Sequence, residues 1–455
     1  MVREVTLPEM LDVRERRAAR QRELLGQYHA PLISFTMNIP GPVKDSPLIR
    51  RGFRAGLALL EERLGRAGLP LLHREEREGH TGCEALWVSG GEALEIKRLC
   101  VQIEDTFPLG RLFDLDVLTP AGEKLDRELV GGGSRDCIVC GAPGRDCAAR
   151  RLHSVPQLQE AVRAILTGYF YAADRDRAAV LATQALLDEA HTTPKPGLVD
   201  ENNTGSHTDM DLAAFERSAR TLTPYWSKCF ELGREGAESP PEETFPALQQ
   251  AGLEAERAML EVTGGVNTHK GAIFLLGLLC AAMGRLWDPG APCRDPEALG
   301  AECAAMVAAA TAAHWSELKT HPERAATAGD NFYLQYGLTG ARGEAAQGLP
   351  GAVNIALPVY ETALAQGLDH NHAGTAALLH LIARGLDTNM VRRGGWEGAQ
   401  AAARETQALL DRAPFPPLDA ISALDDAFIA QNLSPGGCAD LLAGTYLLHG
   451  WKEEN

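Results

Sequence analysis

The spacing of hydrophobic and polar positions differs between the two halves of the chain. In residues 1–170, apolar side chains recur every three or four positions in two segments, which predicts amphipathic helices at 7–26 and 47–68. Short runs rich in β-branched and aromatic residues, bounded by Gly and Pro, predict strands at 32–39, 84–88, 100–104 and 112–118. This mixture of periods predicts an α+β domain.

A different pattern begins near residue 174. A last helical pattern at 156–171 ends at the polar run Ala-Ala-Asp-Arg-Asp-Arg, where we predict the domain boundary. Beyond it, segments rich in Ala and Leu predict helices at 178–190, 211–222, 248–261, 271–283, 296–318 and 398–410. Because small residues let helices approach closely, we predict an all-α domain over residues 173–455, after an α+β domain over residues 1–172.

Composition and charge narrow the classes of function. Hydrophobic residues make up 45% of the chain and charged residues 23%, as in globular enzymes. The sequence shows no membrane-spanning run, no signal-peptide core and no disulfide framework among its ten scattered cysteines, so we expect a cytoplasmic protein. Lys and Arg balance Asp and Glu over residues 1–170, 24 against 24, so the net charge of −17 lies in the rest. An acidic second half argues against nucleic-acid binding, and the arginine-rich first half suits an acidic protein partner.

The segment at 263–271, Thr-Gly-Gly-Val-Asn-Thr-His-Lys-Gly, is the hardest to explain by packing alone. Gly264 and Gly265 predict a tight turn, and Asn267, His269 and Lys270 then stand before an apolar helix. The free N–H groups at the start of a helix favour an anion. The segment therefore predicts a phosphate or carboxylate site, and a glycine turn that only caps a core helix is the alternative.

Four further polar clusters interrupt the predicted helices of the second half. Each contains carboxylates, and each could instead be a helix cap or a surface ion pair. The carboxylates that could hold Mg²⁺ on a triphosphate are Asp200, Asp209, Glu344, Asp387 and Asp440. The side chains and glycines that could contact phosphate or nucleotide are Lys195, Asn203, His207, Lys270, Arg342, Arg392, Gly436 and Gly437.

Two carboxylates in the first half occupy alternate positions of one predicted strand. In Leu-Phe-Asp-Leu-Asp-Val, Asp114 and Asp116 project from the same face about 7 Å apart. Such a pair can hold Mg²⁺ against a polyphosphate, with Arg111 nearby and Glu104 as a further ligand. An edge strand with an acidic outer face is the alternative.

Four possible zinc ligands lie within 17 residues near the end of the first half. Cys137 and Cys140 form a Cys-x-x-Cys pair, and Cys147 and His153 follow. Three Cys and one His can complete a tetrahedral structural site. Free, reduced thiols are the alternative.

At these motifs the chain resembles two known families. Pro-Lys-Pro-Gly-Leu-Val-Asp, Thr-Gly-Gly-Val-Asn-Thr-His-Lys-Gly, Ala-Arg-Gly-Glu and Ser-Pro-Gly-Gly-x-Ala-Asp-Leu-Leu-Ala resemble the triphosphoribosyl-dephospho-CoA synthase family over nearly all of residues 175–450. Gly-Arg-Leu-Phe-Asp-Leu-Asp-Val and the Cys-x-x-Cys…Cys…His tail resemble the citrate lyase holo-acyl-carrier-protein synthase, a phosphoribosyl-dephospho-CoA transferase. The whole chain resembles the fused, bifunctional form of the two.

The resemblance implies two reactions. In the second domain, the 2′-hydroxyl of 3′-dephospho-CoA would attack C1 of the ATP ribose and release adenine. In the first, nucleotidyltransferase-like domain, a serine of the acyl carrier protein subunit of citrate lyase would attack the α-phosphate of that product and release pyrophosphate. Mg²⁺ would assist both reactions.

The resemblance also implies roles for single residues. Asp209 or Glu344 is the candidate base for the hydroxyl, and His207 or His269 would protonate adenine. Asp114 and Asp116 would hold Mg²⁺ in the first domain, with Arg111 balancing phosphate charge. An alternative of another class is a metal-dependent nucleotide phosphohydrolase fused to a module that binds a carrier protein.

Overall fold

The computed structural model describes residues 3–453. The chain divides into two compact units. The first contains the residues up to Ala173 together with Asp288–Ala291, and the second contains Asp174–Trp287 and the residues from Pro292 onward. The division falls inside one long helix, so the polar run at 172–177, where the sequence predicts the domain boundary, is helical.

The first unit combines helices with one four-stranded sheet. Its elements are α1 (Leu7–Tyr28), β1 (Leu32–Met37), α2 (Pro47–Arg66), β2 (Leu71–Arg77), β3 (Glu84–Ser89), α3 (Ala93–Thr106), β4 (Phe113–Leu118), α4 (Gly144–Arg150) and the start of α5 (Val155–His191). The strands are ordered β2-β3-β1-β4, and every neighbouring pair is antiparallel.

The sheet forms because its two central strands are apolar and its outer strand β4 alternates. On β4, Phe113, Leu115 and Val117 are buried while Asp114 and Asp116 face outward, as the period of two predicts. Phe113 packs edge-on against Phe35 of β1, with ring centroids 5.1 Å apart. These side chains therefore pack on the face of the sheet opposite the two carboxylates. A second apolar cluster, in which Leu32, Leu86 and Val88 pack with Leu24 and Leu25 of α1, lies on the same face as the carboxylates.

Two sequence predictions for the first unit are wrong. The predicted strand at 100–104 belongs to α3, whose buried positions Ile96, Cys100 and Ile103 follow the helical period. The segment 100–104 is too short to show the helical period, so its β-rich composition favoured a strand. Strand β2 was missed because its sequence, Leu-Leu-His-Arg-Glu-Glu-Arg, is that of a polar edge strand.

The second unit is helical, and no strand occurs among residues 174–453. After α5 come α6 (Leu212–Thr221), α7 (Thr223–Glu235), α8 (Phe245–Val262), α9 (Lys270–Arg285), α10 (Pro296–Thr320), α11 (Ala328–Tyr336), α12 (Gly340–Ala346), a π-helical segment (Gly351–Ala356), α13 (Leu357–Ala365), α14 (His370–Ile382), α15 (Thr388–Leu410), α16 (Leu418–Ala430) and α17 (Gly436–Lys452). The helices predicted at 178–190, 248–261, 271–283, 296–318 and 398–410 fall within these segments, and the one predicted at 211–222 extends one residue beyond α6 at each end.

Helix α9 is the centre of the second unit. Its residues from Leu275 to Arg285 are all buried, and it packs against α7, α8, α10 and α17. The contact with α7 is close because glycine residues of α9 face it. A Cβ at Gly284, for example, would lie 2.1 Å from the carbonyl oxygen of Phe230. No helix among residues 3–453 is both long and apolar enough to cross a membrane.

Candidate functional site

One cavity in the second unit gathers residues from five separate stretches of the chain. It has a volume of about 320 Å³ and is lined by the end of α5, the loop before α6, the start of α9, the start of α15 and the start of α17. The sequence-predicted residues on its wall are Lys195, His207, Asp209, Asn267, His269, Lys270, Arg392, Gly436 and Asp440.

The start of α9 forms one wall of this cavity. A turn through Gly264 (φ +69°) and Gly265 (φ +92°) leads into it, and Asn267 Oδ1 accepts the N–H of Lys270 at 3.1 Å. Asp440 accepts the N–H of Ala272. The anion site predicted at this helix start is therefore partly filled by a carboxylate of the chain itself.

Gly271 makes that contact possible. A Cβ at this position would lie 1.9 Å from Oδ2 of Asp440, so any larger residue would displace the carboxylate. Burial raises the pKa of Asp440 well above its ordinary value, and the nearby carboxylates of Glu189 and Asp387 raise it further. Burial therefore favours the neutral form of Asp440, and a cation bound beside it would favour the charged form.

A buried ion pair lies on the same wall. Lys195 is 1% exposed, and its Nζ donates to Oε1 of Glu189 at 2.6 Å and to the Glu189 carbonyl oxygen. Replacement of such a pair by apolar residues is often neutral or stabilising, so its presence is not explained by stability.

His269 offers one free ring nitrogen to the cavity. Its Nδ1 lies 2.7 Å from Oγ of Ser218, and that oxygen accepts a hydrogen bond from Thr268 at 2.8 Å. We assign the Ser218 proton to Nδ1, which leaves the ring proton on Nε2. Nε2 is buried and has no partner among the described residues. Burial, with Lys195 nearby, lowers the pKa of His269 to about 3, so the ring is neutral.

The other residues that line the cavity are more polar and more exposed. Arg392 is exposed and forms no ion pair within residues 3–453, and Lys270 pairs with Glu256 at 2.8 Å while remaining 60% exposed. His207 lies 2.8 Å from Oγ of Ser434 and 4.0 Å from Asp209, whose side chain is 65% exposed. Burial, then the charge of Arg393, lowers the pKa of His207. These groups leave two cations and one carboxylate accessible to a ligand.

Several predicted site residues lie elsewhere and have internal partners. Asp200 accepts the N–H groups of Lys195, Asn202 and Asn203 at 2.8–3.1 Å, and Asn203 bonds to Asp425 at 2.9 Å, so both stabilise the loop before α6. Their oxygens are used by this loop and do not line the cavity.

Three more predicted residues form ion pairs or accept hydrogen bonds at the start of a helix. Glu344 pairs with Arg384 at 2.6 Å and accepts the N–H of Gly351 at 2.9 Å. Asp387 caps α15 and accepts the N–H of Cys438 in α17, and Gly437 leaves room for it. Arg342 is 3.7 Å from Asp330 and lines a different cavity. Of the five carboxylates predicted to hold Mg²⁺, Asp209 and Asp440 line the 320 Å³ cavity.

Sequence reasoning missed two residues of this site. Glu189 resembles a solvated charge within a long helical pattern, and its pairing with Lys195 depends on the fold. Ser218 lies on the buried face of α6 with Ala214 and Ala219. A serine on the apolar face of an amphipathic helix is the signal that could have identified it, because a buried hydroxyl requires a partner.

A second cavity, of about 540 Å³, lies within the first unit. Its wall includes Arg14 and Arg17 of α1, Lys44, Asp114 and Arg135. Lys44 donates to the carbonyl oxygen of Ile39, and Arg17 pairs with Glu84 at 2.7 Å. A basic cavity whose carboxylates are Asp114 and Glu84, the latter paired with Arg17, is suited to a phosphate group that a metal ion accompanies.

The two predicted carboxylates of β4 have different surroundings. Asp114 borders this cavity, whereas Asp116 pairs with Lys124 at 2.7 Å. Although Asp114 still reaches solvent, partial removal from water and then the neighbouring Asp116 raise its pKa. Arg111 donates to the carbonyl oxygen of Asp136, and Glu104, on α3, accepts the N–H of Leu115 at 2.9 Å. Both therefore support β4 from outside the cavity.

The four predicted zinc ligands come together. Cys137, Cys140, Cys147 and His153 place one ligand atom each within 4.8 Å of the others, and we call them the Cys/His group. Among the described residues it is the one group in which three or more Cys, His, Asp or Glu side chains could share a metal ion. The predicted Mg²⁺ ligands form no such group within residues 3–453.

Comparisons with known proteins identify both units. Residues 5–169 match the family described as apo-citrate lyase phosphoribosyl-dephospho-CoA transferase, and residues 175–455 match ATP:dephospho-CoA triphosphoribosyl transferase. The protein CitXG of Haemophilus influenzae is 35% identical over 450 residues, which cover 97% of this chain and 95% of that protein. The 2-(5''-triphosphoribosyl)-3'-dephosphocoenzyme-A synthase of Klebsiella pneumoniae is 42% identical over 271 residues, or 58% of this chain and 87% of that protein.

These comparisons confirm the resemblance inferred from the motifs and do not support the phosphohydrolase interpretation. The chain belongs to the fused citrate lyase prosthetic-group proteins, with an apo-citrate lyase phosphoribosyl-dephospho-CoA transferase region at residues 5–169 and an ATP:dephospho-CoA triphosphoribosyl transferase region at residues 175–455.

Proposed function

We propose that the chain is a bifunctional transferase. Residues 173–455 convert ATP and 3′-dephospho-CoA into 2′-(5″-triphosphoribosyl)-3′-dephospho-CoA and adenine. Residues 1–172 then transfer this product to a serine of the acyl carrier protein subunit of citrate lyase and release pyrophosphate. The observation that carries the proposal is the 320 Å³ cavity, which unites motifs separated by more than 200 residues along the chain.

The charges around this cavity suit a nucleoside triphosphate. Lys270 and Arg392 are accessible cations that can bind the phosphates, and the start of α9 adds backbone N–H groups. Asp209 and Asp440 are the carboxylates left for Mg²⁺, because Glu189 is bound to Lys195. When bound, Mg²⁺ would neutralise phosphate charge, and two protein carboxylates with substrate oxygens are a usual ligand set for it.

The second substrate has space beside the first. A cavity of about 650 Å³ adjoins the same lysine, Lys270, and has Phe245 and Phe274 on its apolar wall. Arg342 lies on its rim. An apolar groove with cations at one end matches dephospho-CoA, which has phosphates and a long pantetheine arm. Lys270 would then contact both substrates.

Bond cleavage requires groups around the ribose of ATP. As the 2′-hydroxyl attacks C1, it gives its proton to a base, and the bond from C1 to adenine breaks with its electron pair on adenine. Asp209 is the better candidate base, since it lines the cavity and is not paired with a cation as Glu344 is with Arg384. Its oxygens are also accessible to the incoming hydroxyl.

His269 acts in this scheme as a hydrogen-bond donor. A neutral imidazole with its proton on Nε2 cannot readily give that proton away, but it can stabilise charge that develops on adenine or phosphate. His207 remains the candidate proton donor, because a bound triphosphate would oppose the effects that lower its pKa.

In the first unit, the 540 Å³ cavity is the proposed transfer site. Asp114 would hold Mg²⁺ there, with Asp116 beside it on the strand, and Arg14, Lys44 and Arg135 would stabilise the pyrophosphate that leaves. The basic wall also suits an acidic carrier protein.

The test is to follow each reaction in the full chain. Purified protein with ATP, Mg²⁺ and dephospho-CoA should release adenine, detected by chromatography, and added apo carrier protein should gain the mass of the prosthetic group. Lys270→Ala should stop adenine release but still transfer pre-made prosthetic group, and Asp114→Asn should do the opposite. Release of phosphate without adenine, or equal loss of both activities in each folded variant, would contradict the proposal.

A further inference from the structure

The Cys/His group has the dimensions of a tetrahedral metal site. Sγ of Cys140 lies 3.5 Å from Sγ of Cys147 and 3.3 Å from Nε2 of His153. Ligands bound to zinc at about 2.3 Å for sulfur and about 2.0–2.1 Å for nitrogen would be separated by about 3.8 Å and about 3.6 Å. These two separations are within about 0.3 Å of the expected values, and all four ligand atoms lie within 4.8 Å of one another.

The backbone around the group is built to present thiolates. Cys137 and Cys140 lie on a tight turn in which Gly141 (φ +71°) donates to the Cys137 carbonyl oxygen at 2.9 Å. The N–H groups of Val139 and Cys140 point at the Cys137 sulfur. Cys147 follows on α4 and His153 precedes α5. Two ligands from a turn, one from α4 and one from the loop before α5 enclose one point.

We propose that the Cys/His group binds one structural Zn²⁺ ion, which holds Arg135 in place beside Asp114. Four protein ligands leave no open position on the metal, so the ion would not contact the substrate. It would act by fixing the segment that carries the ligands.

Arg135 links that segment to the transfer cavity. The turn is closed by hydrogen bonds from Gly144 N–H to the Arg135 carbonyl oxygen at 2.9 Å, and from Cys137 N–H to Ala142. The Arg135 side chain donates to the carbonyl oxygens of Phe113 at 2.8 Å and Gly110 at 2.6 Å, at the start of β4. Arg135 and Asp114 line the same cavity. Loss of the metal would therefore free the guanidinium and the strand end together.

A redox-active thiol pair is the competing interpretation. The thiols are free in the structure, and Cys140 is exposed. A disulfide would use two of the sulfurs and give no role to His153, whereas a metal ion uses all four ligands. The first interpretation predicts a metal ion bound in the folded protein, and the second predicts thiols that form a disulfide.

Metal analysis of the full-length protein is the direct test. Protein produced with zinc should carry about one Zn²⁺ per chain, and Co²⁺ exchanged into it should give the absorption of tetrahedral cobalt with thiolate ligands. The double variant Cys140→Ser/His153→Gln removes the two more accessible ligands and should lose at least ten-fold in metal content. Cys293→Ser is the control, since Cys293 is a partly exposed thiol of the second unit. It should keep the metal.

Hydrogen exchange tests the positioning role. Removal of the metal by a chelator should speed exchange of the amides at 110–116 and 135–153 and leave the second unit unchanged. Absence of zinc from the wild-type protein, a disulfide among these cysteines, or full metal content in the double variant would overturn the metal site. Unchanged exchange at 110–116 after metal loss would overturn the link to Arg135.

Discussion

The substitution Gly271→Ala tests how the start of α9 and Asp440 fit together. The new methyl group would lie 1.9 Å from Oδ2 and 2.8 Å from Cγ of Asp440, so the carboxylate must move. It would then lose the N–H of Ala272, its backbone partner. The substitution thus displaces a carboxylate of the proposed ATP site without removing it.

Opposing effects on stability set the expected magnitude. Alanine favours a helix over glycine by about 1 kcal/mol. The overpacked contact costs about 1–3 kcal/mol, and a buried N–H left without a partner costs about 1–3 kcal/mol. We therefore expect a net loss of about 1–5 kcal/mol in the free energy of unfolding. Displacement of a preorganised charged group typically lowers kcat by about 10²–10³, so adenine release should fall by that factor.

The assay combines denaturant unfolding with chromatographic detection of adenine. Gly398→Ala is the matched control: it lies in α15 of the same unit, and the space around its Cβ is open. The control should gain up to about 1 kcal/mol and keep full activity. If Gly271→Ala behaves like Gly398→Ala in both measurements, the carboxylate is not held against α9 or is not needed for the reaction.

Three further predictions address single groups. Asp440→Asn tests the raised pKa of Asp440. The folded wild type keeps a proton on this carboxyl group that the unfolded chain releases, so the free energy of unfolding of the wild type falls as pH rises above about 4. Thermal melts should show the Asn variant gaining stability over wild type at pH 7 and not at pH 3. Ser218→Ala should lower kcat for adenine release more than it changes KM, because the proton of His269 is no longer fixed on Nε2; an unchanged kcat would contradict the assigned tautomer. Asp114→Asn should slow carrier-protein modification by about 10²–10³ while adenine release continues, as measured by intact mass; normal modification would mean that the strand face is merely acidic.

Sequence periodicity predicted most of the fold because most elements are amphipathic along their full length. The prediction failed around Cys100 in α3, where the local composition favours a strand although the longer segment has the helical period. It also failed at β2, because an edge strand made of polar residues lacks a hydrophobic pattern. Helix α5 continues through the polar run at which the sequence predicts the domain boundary. A polar run in a helical pattern does not distinguish a linker from an exposed helix face.

The sequence indicated the types of side chain in the candidate site better than it indicated which residues line the cavity. Lys195, His269 and Asp440 converge on one cavity as the motifs indicate. Asp200 and Glu344 have the same chemical type, but their oxygens are taken by backbone N–H groups and by an arginine. A sequence shows where a carboxylate stands in the chain, but its free lone pairs depend on the neighbours that the fold supplies.

The charges of the cavity suggest how ATP lies in it under the proposed function. Deep groups are neutral or paired: Lys195 is bound to Glu189, burial keeps His269 uncharged, and burial favours the protonated form of Asp440. The accessible groups Lys270 and Arg392 are cations. A polyanion gains most from the accessible cations and from the Mg²⁺ that Asp209 and Asp440 would hold, and it would lose solvation beside Lys195 and His269, whereas ribose and adenine carry no charge to desolvate. The triphosphate therefore belongs beside the cations, with the bond between ribose and adenine turned toward the free Nε2 of His269.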